Sequence, residues 1–375
     1  MALCVKTGFY GSEHSLFPVY AGAARHWWAG MSLYGDYKPS EGIDEFRYSP
    51  TFAVAVTFFA LCGTRGGTML WDLTSLALLL CGLRALVREV LPGEWTPRRV
   101  EIFLTLTLTG AAVSLWSGQS NMLLASLVML ALGAIRRERW WTAAWLLAGA
   151  VFIKPWAIAV VLLLAVHWPR RLIGRWLAAS AVIAMLPLMI APREAMWQYQ
   201  TWVMRLAETE SMRWRGYRDA WTIWNAVWPP VNRYAYKVLQ LGTAAGVAAW
   251  LLWQRWRGTS LARLLALIYA MWVSWQLLFG PASEQLTYGI LAPAASWAVL
   301  VSFEEKRDRW LTVAAWSMTA LLASGDIEDA VVAIFPKGQV LLPLGVVLFV
   351  AWLVWHEAKG DRHIFRPQRL WRGGA

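Results

Sequence analysis

The sequence is short of charge and of cysteine. Only 15% of its 375 residues are Asp, Glu, Lys or Arg, against 58% hydrophobic, which is too little polar surface to coat soluble domains of this size. Its three cysteines, Cys4, Cys62 and Cys81, form no spaced pair and point to neither a disulfide framework nor a metal site. Also missing are a nucleotide-cradling glycine loop, a zinc-ligand spacing, and a serine nucleophile with a placed His and Asp. These absences remove the common soluble enzyme classes. Any donated group is expected on a membrane lipid rather than a nucleotide, with no metal and no cofactor.

What the chain has instead is apolar blocks. Residues 67–83, 100–117, 120–135, 172–191, 236–254, 261–279, 286–302, 310–323 and 339–356 are each nearly uncharged. Most approach the roughly 20 residues a helix needs to cross a hydrocarbon core of about 30 Å. Lipid offers a backbone no water to bond, so such blocks must be helical. The expected fold is all-α: a polytopic transmembrane protein of about nine or ten spans, forming one membrane domain over 1–375. Twenty-eight tryptophans, many at block edges, suit the headgroup layer that indole favours.

The net charge of +12 could indicate nucleic acid, but its distribution explains it better. Basic clusters fall at 84–99, 136–139, 170–175, 255–263, 306–309 and 359–372. If these share the cytoplasmic side, that side holds 21 of the 35 basic and 9 of the 23 acidic residues, leaving 14 of each for the other. The entire excess then lies inside, as the positive-inside rule expects. No nucleic-acid partner is needed, and residues 357–375 become a cytoplasmic tail.

Residues 140–169 break the alternation. Both flanking basic clusters belong on one side, yet the stretch is too short for two spans and carries Lys154 and Pro155 at its middle. Proline removes a helix donor and clashes one turn back, so the stretch reads as two half-helices folded into a hairpin with Lys154 at the tip. Irregular backbone at that depth needs protein or a wet cavity around it, and a lysine there is a functional candidate, although a lysine can also snorkel to the headgroups. Residues 51–62 are likewise too short to cross and read as a half-depth or interfacial helix. Residues 1–50 then lie outside without a span to carry them there, which predicts a further spanning helix upstream of Met1.

Three outer segments hold polar groups. In 1–50, FPVYAGAARHWWAGMSLYG reads as an amphipathic helix along the membrane surface, followed by an acidic loop and RYSP. Residues 192–235 are rich in Trp and Arg, and 280–288 bring Glu284 and Tyr288 to the start of a span. A further corner, SGQSN, sets Gln119 and Asn121 beside Gly118. Its amides are expected to point into the outer region, a reading compatible with Ser120 or Asn121 capping the next helix.

The run from GQSN through IKPW resembles the central region of glycosyltransferase family 87, the polyprenol-phosphate-mannose-dependent integral membrane mannosyltransferases. Gly118, Gln119, Asn121, Lys154 and Pro155 carry the resemblance. The front end, VYAGAARHWWAGMSLYG followed by RYSP, is similar too, with Tyr20, Gly30, Tyr34, Tyr48 and Pro50 corresponding, and GPASEQLTYGILAP is similar to a late family element. The resemblance implies a C-type glycosyltransferase-like fold in the plasma membrane with its site facing outside or toward the periplasm. Two departures touch the chemistry: members usually carry an Asp-Phe at the start of the first outer loop, whereas here Leu16 precedes Phe17, and the late element often carries histidines where this chain has Glu284, Gln285 and Tyr288.

The implied activity is that of a hexosyltransferase. It would move a hexose, mannose foremost, from a polyprenyl-phosphate donor to a hydroxyl of a lipid, glycan or protein acceptor, directly and with inversion. A carboxylate or His would accept the acceptor's proton, the candidates being Glu13, His14, Asp44 and Glu45. Cations would stabilise the departing phosphate, with Lys154 first and Arg47 second. Gln119, Asn121, Tyr20, Tyr48, Glu284 and Tyr288 are the expected substrate-binding residues. A lipid-sugar transporter or flippase, or a relative without catalysis, is the alternative.

Overall fold

The computed structural model describes residues 15–35, 45–211, 217–281 and 283–359, with backbone alone for 208–211. Glu13, His14 and Asp44, and most of the tail at 357–375, lie outside the described residues. Regular structure among these residues is helical throughout. Sixteen α-helices follow one another: α1 Phe17–Trp28, α2 Pro50–Ala60, α3 Gly63–Ala85, α4 Pro97–Trp116, α5 Asn121–Arg136, α6 Trp140–Ile153, α7 Ile158–His167, α8 Pro169–Ile190, α9 Pro192–Ser211, α10 Ala220–Val227, α11 Arg233–Trp256, α12 Leu261–Phe279, α13 Ala292–Glu304, α14 Arg309–Ala320, α15 Gly325–Ile334 and α16 Leu341–Ala358.

The starts follow local chemistry. Ser49 and Thr96 accept hydrogen bonds from Phe52 and Arg99 amides, each just before a proline at the first helical position, where a missing N–H costs nothing. Six stretches are long and apolar enough to cross a membrane: Gly63–Val90, Pro97–Trp116, Pro169–Ile190, Leu261–Phe279, Gln285–Glu304 and Gly338–Ala358. Pro50–Ala60, Asn121–Arg136, Trp140–Ile153 and Pro155–His167 are apolar but shorter. The fold is thus polytopic and all-α, as composition requires. At 24 residues α11 is also long enough, though it opens on Arg233 and carries Arg255 in its last turn.

Between 140 and 169 the chain does double back. The Trp140 and Trp168 rings, at the two open ends, lie 5.9 Å apart, and the Arg171 guanidinium sits 5.5 Å from the Trp140 ring. Half-helices α6 and α7 therefore run antiparallel, and their junction at Lys154 is carried roughly 20 Å away, the length of α6 at about 1.5 Å per residue. The same base carries Arg175 over Trp141 and Arg255 over Trp168, and Arg257 over Trp253 follows on the next turn. Indoles beside the basic turns thus hold guanidinium groups.

Helix α1 forms where the amphipathic pattern lies, but it is covered on most sides: Phe17 through Ala24 are buried, and Arg25 and Trp28 face outward. The small residues Ala21, Gly22, Ala23 and Ala24 let it sit close beneath α2 and α3, so it contributes a wall rather than a float on the surface. A comparably close approach joins α4 to α13, where a Cβ on Gly110 would come within 2.8 Å of the Ala292 Cβ.

Candidate functional site

The corner between α4 and α5 begins the site. Gly118 has φ +62, a conformation glycine adopts without strain, and a Cβ there would lie 2.7 Å from Ser15 Oγ. Three bonds pin the turn to its neighbours: Trp71 Nε1 donates to Gly118 O at 2.8 Å, Leu16 N to Ser117 O at 2.9 Å, and Ser120 N to the Tyr20 hydroxyl at 3.3 Å. No side chain caps α5. Asn121, fully buried, instead donates from Nδ2 to Gln119 Oε1 at 2.8 Å and accepts from Lys154 Nζ at 2.7 Å through Oδ1. The inward amide that the corner was expected to present is therefore made, and it holds a lysine, while the compatible cap is not made among the described residues.

Lys154 owes its place to Pro155. The residue before proline is pushed out of the helical region, and Lys154 accordingly has φ −136 and ψ 117. Ser49 Oγ donates to Phe152 O at 2.5 Å, tying the RYSP element to the hairpin just below its tip. The ammonium lies 5.6 Å from the Tyr48 ring centroid, close enough for a cation–π attraction. Among the described residues it is thus held by one neutral amide and one aromatic face.

Tyr48 belongs to a buried aromatic set. Its ring stacks on Phe52 at 4.7 Å and meets Tyr20 edge-on at 5.1 Å, while Tyr20 meets Trp71 at 5.3 Å. The Tyr20 and Tyr48 hydroxyls are 2.9 Å apart, and Tyr34 OH donates to Tyr48 O at 2.8 Å. Complete burial, and then Tyr48 beside it, push the Tyr20 phenol well above its ordinary value. It stays a neutral donor and acceptor throughout the physiological range.

These parts border a cavity of about 490 Å³. Tyr20, Glu45, Arg47, Tyr48, Gln119, Lys154 and Glu284 all line it, so seven of the expected site residues meet in one place. Arg47 Nη1 reaches Glu284 Oε1 at 3.5 Å, and Trp202 Nε1 donates to Arg47 O at 3.4 Å. Leu16 stands in the wall as an apolar residue, and Glu45 and Glu284 are the carboxylates among the described lining residues. Ile158, Ala159 and Leu162 of α7 form an apolar flank, with Leu162 exposed on the outside of the molecule.

Tyr288 is placed differently. It is buried behind the wall and donates to Arg218 O at 2.7 Å, within a buried cluster built on an Arg218–Glu328 ion pair at 2.5 Å. Gln285 donates to the other Glu328 oxygen, and Arg218 N to Ser283 O at 2.7 Å. This cluster holds the 283–288 segment, and so Glu284, from behind.

Sequence reasoning passed over the far wall, where Gln240, Trp275 and Gln276 line the cavity from α11 and α12. Nothing in their local pattern separates them from ordinary residues of apolar helices. Asp72 was legible in principle: a carboxylate inside an apolar block is costly, and it lies buried in α3, its Oδ1 3.6 Å from where a Gly118 Cβ would be.

The family model for glycosyltransferase family 87 matches residues 46–281, well over half of the chain, and its range takes in Arg47, Tyr48, Gln119, Asn121 and Lys154. Comparison with curated proteins gives no match.

Proposed function

This chain belongs to glycosyltransferase family 87, and on that premise we propose that it transfers a hexose, mannose foremost, from a polyprenyl-phosphate carrier to an acceptor hydroxyl. Transfer takes place in the cavity below the hairpin tip, on the outer face of the plasma membrane and with inversion at the anomeric carbon. The observation that carries the proposal is Lys154, fixed by Asn121 at 2.7 Å in a cavity shared with Arg47 and two carboxylates.

The donor's phosphate sits against Lys154 and Arg47. As the bond from the anomeric carbon to the phosphate oxygen breaks, negative charge grows on that oxygen, and preplaced cations favour this state over the bound donor. The isoprenoid tail leaves along Ile158, Ala159 and Leu162, the apolar flank that continues onto the exterior of α7. Glu45 or Glu284 accepts the acceptor's proton while its oxygen bonds to the anomeric carbon. Gln119 and the tyrosine pair brace the opposite side. With Leu16 at the position where family members carry an acid, the base comes from another part of the wall.

The test uses membranes containing the full chain, labelled polyprenyl-phosphate mannose or glucose, and separation of the labelled products. Transfer that depends on Lys154, and that Glu45→Gln or Glu284→Gln lowers by about 100-fold or more, is the expected result. Label that crosses the membrane still attached to its lipid would identify a carrier and overturn the proposal.

A further inference from the structure

Gln276 lies in the last turn of α12 on the wall that carries Gln240 and Trp275. It is 1% exposed, and both its Nε2 and its Oε1 are buried without a hydrogen-bond partner among the described residues. Leaving such an amide unsatisfied is costly, so an apolar residue of the same shape would give a more stable fold. Room is kept for it as well: a Cβ on Gly280 would fall 2.0 Å from Gln276 Nε2. Buried polar groups that the fold leaves unanswered call for a partner from outside it.

We propose that Gln276 is a ligand-reading residue whose amide is completed by a hydroxyl-bearing sugar ring in the cavity. An amide presents one acceptor and two donors, and a pair of neighbouring ring hydroxyls presents the complementary set. Trp275, beside it, already spends its N–H on Thr243 Oγ1 at 3.2 Å; what it has left for a ligand is its ring, which suits the apolar face of a sugar. Lys154 and Arg47 serve the phosphate, so this wall reads the ring. The inference rests on the sugar-transfer reading and deepens it. The ring comes either from the donor or from a glycosylated acceptor.

The test measures the melting temperature of the full chain in nanodiscs, for wild type, Gln276→Met and Gln276→Leu, titrated with polyprenyl-phosphate mannose and with an alkyl mannoside. Without ligand, the substituted chains are expected to melt at or above the wild-type temperature. With ligand, their affinity falls about tenfold for the source of the ring, corresponding to about 1.4 kcal/mol. Loss confined to the lipid-linked sugar assigns the donor; loss confined to the alkyl mannoside assigns the acceptor. Substituted chains that melt below wild type would show the amide to be satisfied within the fold, and equal affinity for both probes would show that it reads neither; each overturns the inference alone. A wild type that responds to neither probe would defeat the sugar-transfer reading and this inference with it.

Discussion

Lys154 combines a cost and a purpose in one side chain. A lysine at depth in an apolar hairpin is unfavourable unless something receives its charge, and among the described residues an amide oxygen and a ring face do so. Lys154→Ala is expected to leave insertion and melting temperature near wild type while lowering transfer by about 100-fold or more, read from membrane yield, thermal denaturation and labelled product. Asn121→Ala should show the gentler form of the same defect, about tenfold in rate, since the ammonium remains but loses its tether. Tyr20→Phe is a stability experiment instead. It removes the hydroxyl that Tyr48 and Ser120 N share, at about 1 kcal/mol by chemical denaturation. Asn121 illustrates what was readable in the string: a polar residue at the mouth of an apolar block is conspicuous. That its partner would be a lysine 33 positions later was not, because that pairing needs the hairpin to fold first.

Among elements, the hairpin is the most plainly written. Thirty residues between two basic clusters, with Lys-Pro at the centre, admit few geometries, and α6 and α7 adopt the antiparallel one. The Arg218–Glu328 pair is the opposite case. Its members lie 110 residues apart, one just before α10 and one in α15, and neither stands out locally. Breaking it by Glu328→Gln leaves a buried guanidinium without its counter-ion, and about 3–5 kcal/mol of stability should be lost. The apolar pair Arg218→Met with Glu328→Leu should restore much of that loss. If the pair also positions Glu284 through the 283–288 segment, the doubly substituted chain will be stable yet slower in transfer, a split that denaturation and rate measurements together reveal. Helix α1 shows the limit of pattern reading at this scale. Its amphipathic pattern marks a helix, but whether α2 and α3 cover it depends on how the rest of the chain packs.

For the whole molecule, the basic turns gather at one end and the cavity at the other. Single cysteines in a background lacking Cys4, Cys62 and Cys81 test the proposed orientation. Replacements at Gln119 and Trp156 are expected to react with an impermeant thiol reagent from outside, and those at Arg171 and Arg257 only after the membrane is opened. Reaction of the two cavity positions from opposite sides would end the sugar-transfer proposal. Composition alone made this protein a bundle of membrane helices, because a chain with so little charge can satisfy its backbone only internally and in lipid. Charge spacing likewise implied the hairpin, since helix length and membrane thickness are both set by simple geometry. The far wall of the cavity, the unanswered amide of Gln276 and the support behind Glu284 were decided by tertiary structure. Those residues come from helices far apart in sequence, and apolar periodicity says which residues are buried without saying what they are buried against.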